Sequence, residues 1–123
     1  MTRGVQNFRD LIVWQKAMLL AKEVYGLSGS FPREERYGLT SQVRRAALSV
    51  PSNIAEGHAR QGREFFNFLS IARGSLAEVE TQLLFAVDVG YLSMEQLTSA
   101  FALADEVKRM AAVLSRKLKA SQG

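Results

Sequence analysis

Residues Gln42–Gly57 read QVRRAALSVPSNIAEG, and the proline inside this run decides how the chain folds. Both flanks have helix-forming composition. Yet Pro51 removes a backbone donor, crowds the carbonyl of Ala47 and costs a helix interior about 3 kcal/mol or more. A surface helix gains nothing in return. Ser49, Ser52 and Asn53 stand beside the break, with short polar side chains suited to freed backbone groups. The stretch predicts a long, kinked and largely buried helix whose bend belongs to the architecture.

That helix should start near Arg33–Tyr37 and end near Gly57. Leu39, Val43, Ala46, Val50 and Ile54 make its core stripe. Gln42, Arg45, Ser49, Ser52 and Glu56 make a separate polar stripe. The third side carries Arg44, Leu48, Pro51 and Ala55, too few charges for a solvent face. Cover on more than one side is expected.

Downstream, GHARQG (Gly57–Gly62) reads as a loop. A third helix over Arg63–Val89 places Phe65, Leu69, Ala72, Leu76, Val79, Leu83 and Ala86 in steps of four and three, the period of a bundle seam. Gly74 and Ser75 in mid-helix suggest close packing against the kinked helix. Gly90 ends this helix, and Ser93-Met94-Glu95-Gln96 has the form of a capping box for the next. In the fourth helix Leu97, Ala100, Ala104, Val107, Ala111, Leu114 and Leu118 repeat the seam, and 121–123 form a short tail.

Upstream, residues 1–9 read as a flexible arm with Arg3 and Arg9, and Asp10 as N-cap of a first helix over Leu11–Ser28. Its apolar residues fill an arc of roughly 200°, about twice what one core-facing stripe needs. Val13, Trp14, Leu20 and Leu27, together with Leu48 of the second helix, are therefore expected at a contact with another protomer. Nothing reads as a strand. Four helices with short connections make a single all-α domain over 1–123, an antiparallel up-down four-helix bundle.

Composition narrows the function. The chain has 123 residues, a net charge of +4, no cysteine and one histidine. Thiolate metal sites are excluded, and one histidine cannot build the glutamate-histidine metal sites found in bundles. Ser49 and Ser52 have no base at usable spacing, and no glycine-rich phosphate loop precedes a helix. No enzyme, cofactor or metal is expected. No apolar run approaches the roughly 20 residues that span a bilayer, so a cytoplasmic protein without membrane contact is expected.

The bulk of the chain resembles the four-helix-bundle family related to the 23S rRNA intervening-sequence protein, often labelled S23. Ser49–Gly57 (SVPSNIAEG) carries most of the likeness, with Phe8, Leu11 and Trp14 before it. Tyr37-Gly38-Leu39, Gly74-Ser75-Leu76 and Glu78–Gln82 (EVETQ) add to it. The resemblance implies a homo-oligomer, a pentameric ring. It is also similar to the accessory protein of diversity-generating retroelements, a basic pentamer that works with RNA. Members related to the intervening sequence have no settled activity.

Basic residues are then the functional lead. Lys108, Arg109, Arg116, Lys117 and Lys119 point away from the helix-four seam, followed by Arg60 and Arg63 before helix three. Arg44 and Arg45 are further candidates, although Glu56, Glu78 and Glu80 are available to pair with them. On one protomer such residues form a solvated face. In a ring each cluster repeats, and weak phosphate contacts add. The expected partners are self and RNA or DNA, with a scaffold for a protein partner as the alternative.

Overall fold

A computed structural model describes residues 7–122, and no strand occurs among them. The helices are α1 (Ile12–Ser28), α2 (Leu39–Arg60), α3 (Gly62–Asp88) and α4 (Thr98–Gln122). Short 3-10 turns at Phe8–Asp10, Arg33–Glu35 and Met94–Leu97 precede α1, α2 and α4. Each helix packs on its neighbours in sequence, and α1 also packs on α4, closing a four-helix bundle. Among the described residues, no helix is long and apolar enough to cross a membrane.

Cross-helix contacts fix the directions. Gly57 meets Phe65 and Phe68, Ser49 meets Ser75, and Gln42 shares a groove with Gln82, so α2 and α3 run oppositely. Lys16 pairs with Glu106 at 3.2 Å while Leu27 lies beside Ser99, which sets α4 opposite to α1. Arg44 reaches the carboxyl end of α1 while Met18 lies beside Leu48, so α2 also opposes α1. The start of α1, the α2–α3 junction and the end of α4 therefore share one end of the bundle.

The seam of α3 is buried at every expected position from Phe65 to Ala86, because steps of four and three keep one stripe on the core. In α2, Val43, Ala46, Val50 and Ile54 are buried as expected, with Ala47, Pro51 and Gly57 beside them. The helix continues on both sides of Pro51. Asn53 Nδ2 donates to the Ser49 carbonyl at 2.7 Å and to Ser49 Oγ at 2.9 Å, and Ser49 Oγ lies 2.8 Å from Ser75 Oγ. These polar groups lace α2 to α3 rather than serving the Ala47 carbonyl. Ser93 and Gln96 form both halves of the capping box.

Several local expectations are corrected. The stretch expected to be a loop, Gly57–Gly62, is helical up to Arg60, and the reversal falls on Gln61 (φ 65°, ψ 173°) and Gly62 (φ 58°). Gly57 is helical, and Phe65 and Phe68 occupy the space that a side chain would need there. Gly74 faces open space and touches no neighbour, so Ser75 alone makes the close approach. Asp10 does not cap α1. Asn7 Oδ1 instead accepts from Arg9 N at 2.9 Å, and Leu11 sits at the N-cap without a side-chain bond. The tail at 121–123 is helical through Gln122. Of the expected arm, 1–6 lie outside the described residues, while Phe8–Asp10 is a turn packed on α2.

Candidate nucleic-acid interface

The shared end of the bundle gathers basic side chains from three helix termini. Arg60 closes α2, Arg63 opens α3, and Arg116, Lys117 and Lys119 line the last turns of α4. Cations suit a helix carboxyl end, where the macrodipole is negative. Arg63, Arg116, Lys117 and Lys119 are exposed and have no ion pair among the described residues. They are free to meet phosphate.

The other expected cations are already engaged. Arg60 bonds Glu56 at 3.0 Å and Glu64 at 3.1 Å, and these bonds push its guanidinium above the ordinary arginine value. Lys108 pairs with Glu80 at 2.9 Å, linking α4 to α3, and Arg109 pairs with Asp105 one turn earlier. Exposed pairs of this kind are weak because solvent screens them, so phosphate can compete for them. Arg44 serves no glutamate. Its Nε donates to Ser28 Oγ at 2.8 Å, an Nη donates to the Tyr25 carbonyl at 3.2 Å, and its guanidinium sits 4.5 Å from the Tyr25 ring centroid. Arg44 thus caps the carboxyl end of α1. Arg45 is exposed and carries no ion pair.

At the far end, Glu35 Oε1 accepts from Leu39 N at 3.1 Å, capping α2, and Glu35 Oε2 accepts from the Tyr91 hydroxyl at 2.8 Å. The backbone bond first, and Tyr91 second, hold the Glu35 carboxyl below its ordinary value. The same contact pushes the Tyr91 phenol up. This clip ties the α1–α2 connection to the α3–α4 connection.

The residues expected at a protomer contact separate into two groups. Val13 and Leu20 are buried in the protomer's own core and are corrected on that ground. They lie on the buried side of α1 with Ala17, Ala21 and Val24, which faces the core between α2 and α4. Trp14 and Leu27 are half-buried and pack on that core, and Leu48 is exposed. Beside Leu48 lie Met18 and Tyr25, at the edge of the arc, and Leu19, beyond it, all three exposed. A second apolar set was not anticipated. Ile71, Phe85 and Val89 are exposed on one side of α3, their spacings of 14 and 4 residues being close to whole turns. The signal was present in the α3 sequence but lay outside the seam. Met18, Leu19 and Tyr25 sit on α1 and Ile71 and Phe85 on α3, which lie across the bundle from each other, while Leu48 sits on α2, which packs on both.

No cluster of three or more metal-ligating side chains occurs among the described residues. His58 lies edge-on to Phe65, with ring centroids 5.8 Å apart.

No curated protein matches the chain. A crystal structure of a protein of unknown function from the S23 ribosomal protein family of Bacteroides thetaiotaomicron is similar in fold, with a TM-score of 0.77 at 24% identity, over 85% of this chain and 96% of that one. The family model described as 23S rRNA-intervening sequence protein matches residues 9–113. With the bundle, its buried Pro51 and the SVPSNIAEG segment in place, the chain belongs to the 23S rRNA-intervening sequence protein family.

Proposed function

We propose that this protein is a non-enzymatic cytoplasmic adapter, a ring of five bundles that binds RNA through the basic end of each protomer. The gathering of unpaired Arg63, Arg116, Lys117 and Lys119 at one end carries the reading. Four such cations repeated around a ring supply many phosphate contacts with little base readout. The family's description points to structured RNA as the first probe.

The two apolar sets support the assembly. A twofold dimer pairs one patch with itself, whereas a closed ring needs two different, complementary patches. Leu19 on α1 with its neighbour Leu48 on α2, and Phe85 with Val89 at the end of α3, provide two different patches. The number five comes from the family resemblance. A gel shift of structured RNA at low salt, run beside light scattering, tests the whole reading. A shifted band with a mass several times the protomer supports it, and a monomer that shifts nothing refutes it.

A protein-interaction scaffold is the second reading. It is favoured by the ion pairs that occupy Arg60, Lys108 and Arg109.

A further inference from the structure

Between α2 and α3, on the side away from the core, lies a groove of about 620 Å³ with mostly polar walls. That is within the roughly 300–1,000 Å³ typical of small-ligand sites. Tyr37, at the mouth, is 87% exposed. Ser41 and Arg45 follow it at four-residue steps along one side of α2. Glu78 and Gln82, one turn apart on α3, form the opposite wall. The polar stripe of α2 noted in the sequence thus lines a cleft.

Three features set this cleft apart from an ordinary solvated surface. Arg45 and Glu78 line the same groove with opposite charges and yet form no ion pair, whereas Glu80 does close on Lys108 at 2.9 Å. Gln82 Oε1 is buried without a donor, an arrangement that costs stability until something supplies one. The Arg36 guanidinium lies 5.7 Å from the Tyr37 ring centroid, and with the residue 87% exposed, aromatic surface is left for stacking. On the other side of Arg45 a second groove opens, lined by Arg36, Thr40 and Ser52.

We infer that this groove holds one unstacked nucleotide of single-stranded RNA, with Tyr37 stacked on the base, Arg45 on the phosphate, and Glu78 and Gln82 on the base edge. The inference rests on the RNA reading above and adds a second, base-facing contact to it. A bare anion fits poorly, since Glu78 repels it. A base joined to a phosphate fits each wall with its own complement. The phosphate lies toward Arg45 and Arg36, away from the carboxylate. The base edge meets two acceptors, Glu78 and, once its amide turns, Gln82 Oε1. An exocyclic amine therefore suits the site, as cytosine, adenine and guanine carry and uracil does not. Single-strand sites elsewhere combine a guanidinium-lined groove with aromatic stacking in the same way.

The test is fluorescence anisotropy at one low salt concentration, with an unstructured cytidine-rich strand and a duplex of equal length. Tyr37→Ala should weaken strand binding by about tenfold, within the range for loss of one stacked base. It should leave duplex binding unchanged. A uridine strand should bind the wild type more weakly than the cytidine strand. Free cytidine monophosphate should displace the strand from the wild type more readily than from Tyr37→Ala. The Arg116→Ala, Lys117→Ala double variant should weaken both RNAs alike, because it removes only phosphate contacts. Tyr37 is exposed, so its replacement leaves the fold intact, which circular dichroism checks. If Tyr37→Ala binds the strand as the wild type does, or loses strand and duplex equally, the groove does not hold a base. If the wild type binds the duplex alone, the groove assignment fails while the basic end stands. If it binds neither RNA, both fail and the groove belongs to a different ligand.

Discussion

Gly57 and Phe68 meet where α2 gives way to α3, and a Cβ added to Gly57 would stand 2.8 Å from Phe68 Cβ. The same atom would lie 2.9 Å from Phe65 Cδ1 and 3.3 Å from Phe65 Cα. Backbone and ring cannot both retreat. Gly57→Ala should therefore destabilise the protein by about 1–3 kcal/mol through over-packing, despite alanine's better helix propensity. Gly74 is the control. It is helical too but meets nothing within 4 Å, so Gly74→Ala should stabilise by about 0.5–1 kcal/mol. Urea denaturation of both variants gives the two signs. Equal effects would show that the Phe65–Phe68 contact does not govern the junction.

The clip between Glu35 and Tyr91 predicts how stability depends on pH. The Glu35 carboxyl is held below its ordinary 4.5, mainly by Leu39 N and next by Tyr91. Its contribution is complete above the unfolded value and is lost as pH falls through the folded one. The Tyr91 phenol is raised above 10.0 by the Glu35 bond. Its contribution is complete below that value and fades as pH rises through the folded one. Tyr91→Phe should remove the alkaline loss and shrink the acid loss, while Glu35→Gln should flatten both. Both side chains face solvent, so the changes are small and are read as melting temperature against pH. An unchanged alkaline limb in Tyr91→Phe would contradict the clip.

Legibility in the sequence followed the range of the cause. The α3 seam and the Ser93–Gln96 box were readable because periodicity and capping are local. Gly57 and Gly74 look alike in sequence, and each invites either a loop or a close contact. Only the aromatic rings of the next helix decide between them, and those are placed by the Gln61 reversal. Arg44 is a phosphate-contact candidate in sequence, with glutamate as a competing partner, yet it caps a helix that ended 16 residues earlier. The α1 arc is too wide for one stripe, but the part with Val13 and Leu20 faces the core. The surplus lies at its other edge, with Met18 and Tyr25, and Leu19 is exposed beyond the arc. Arg116, Lys117 and Lys119 were legible as free because they flank the α4 seam. The pairing of Lys108 with Glu80 depends on α3 and was not.

The two apolar sets make a mixing experiment decisive for the mode of assembly. Leu19→Glu should spoil one face and Phe85→Glu the other, and each variant alone should be a folded monomer. A head-to-tail contact needs one face from each partner. Mixing the two variants should therefore restore a single good junction and produce a heterodimer, visible by light scattering at twice the protomer mass. If each variant keeps the wild-type mass, the interface lies elsewhere. If the mixture stays monomeric, the two faces are not complementary.

The claim that phosphate is bound by the free cations at the shared end is tested most directly by salt titration. The logarithm of the RNA association constant should fall linearly with the logarithm of salt concentration, because each neutralised phosphate releases counterions. Arg116 and Lys117 are both exposed and without ion pairs. Replacing both by alanine should lower the slope by about two for every protomer that touches the RNA, with weaker binding at low salt. A slope equal to that of the wild type would contradict the account and remove the basic end from the RNA contact.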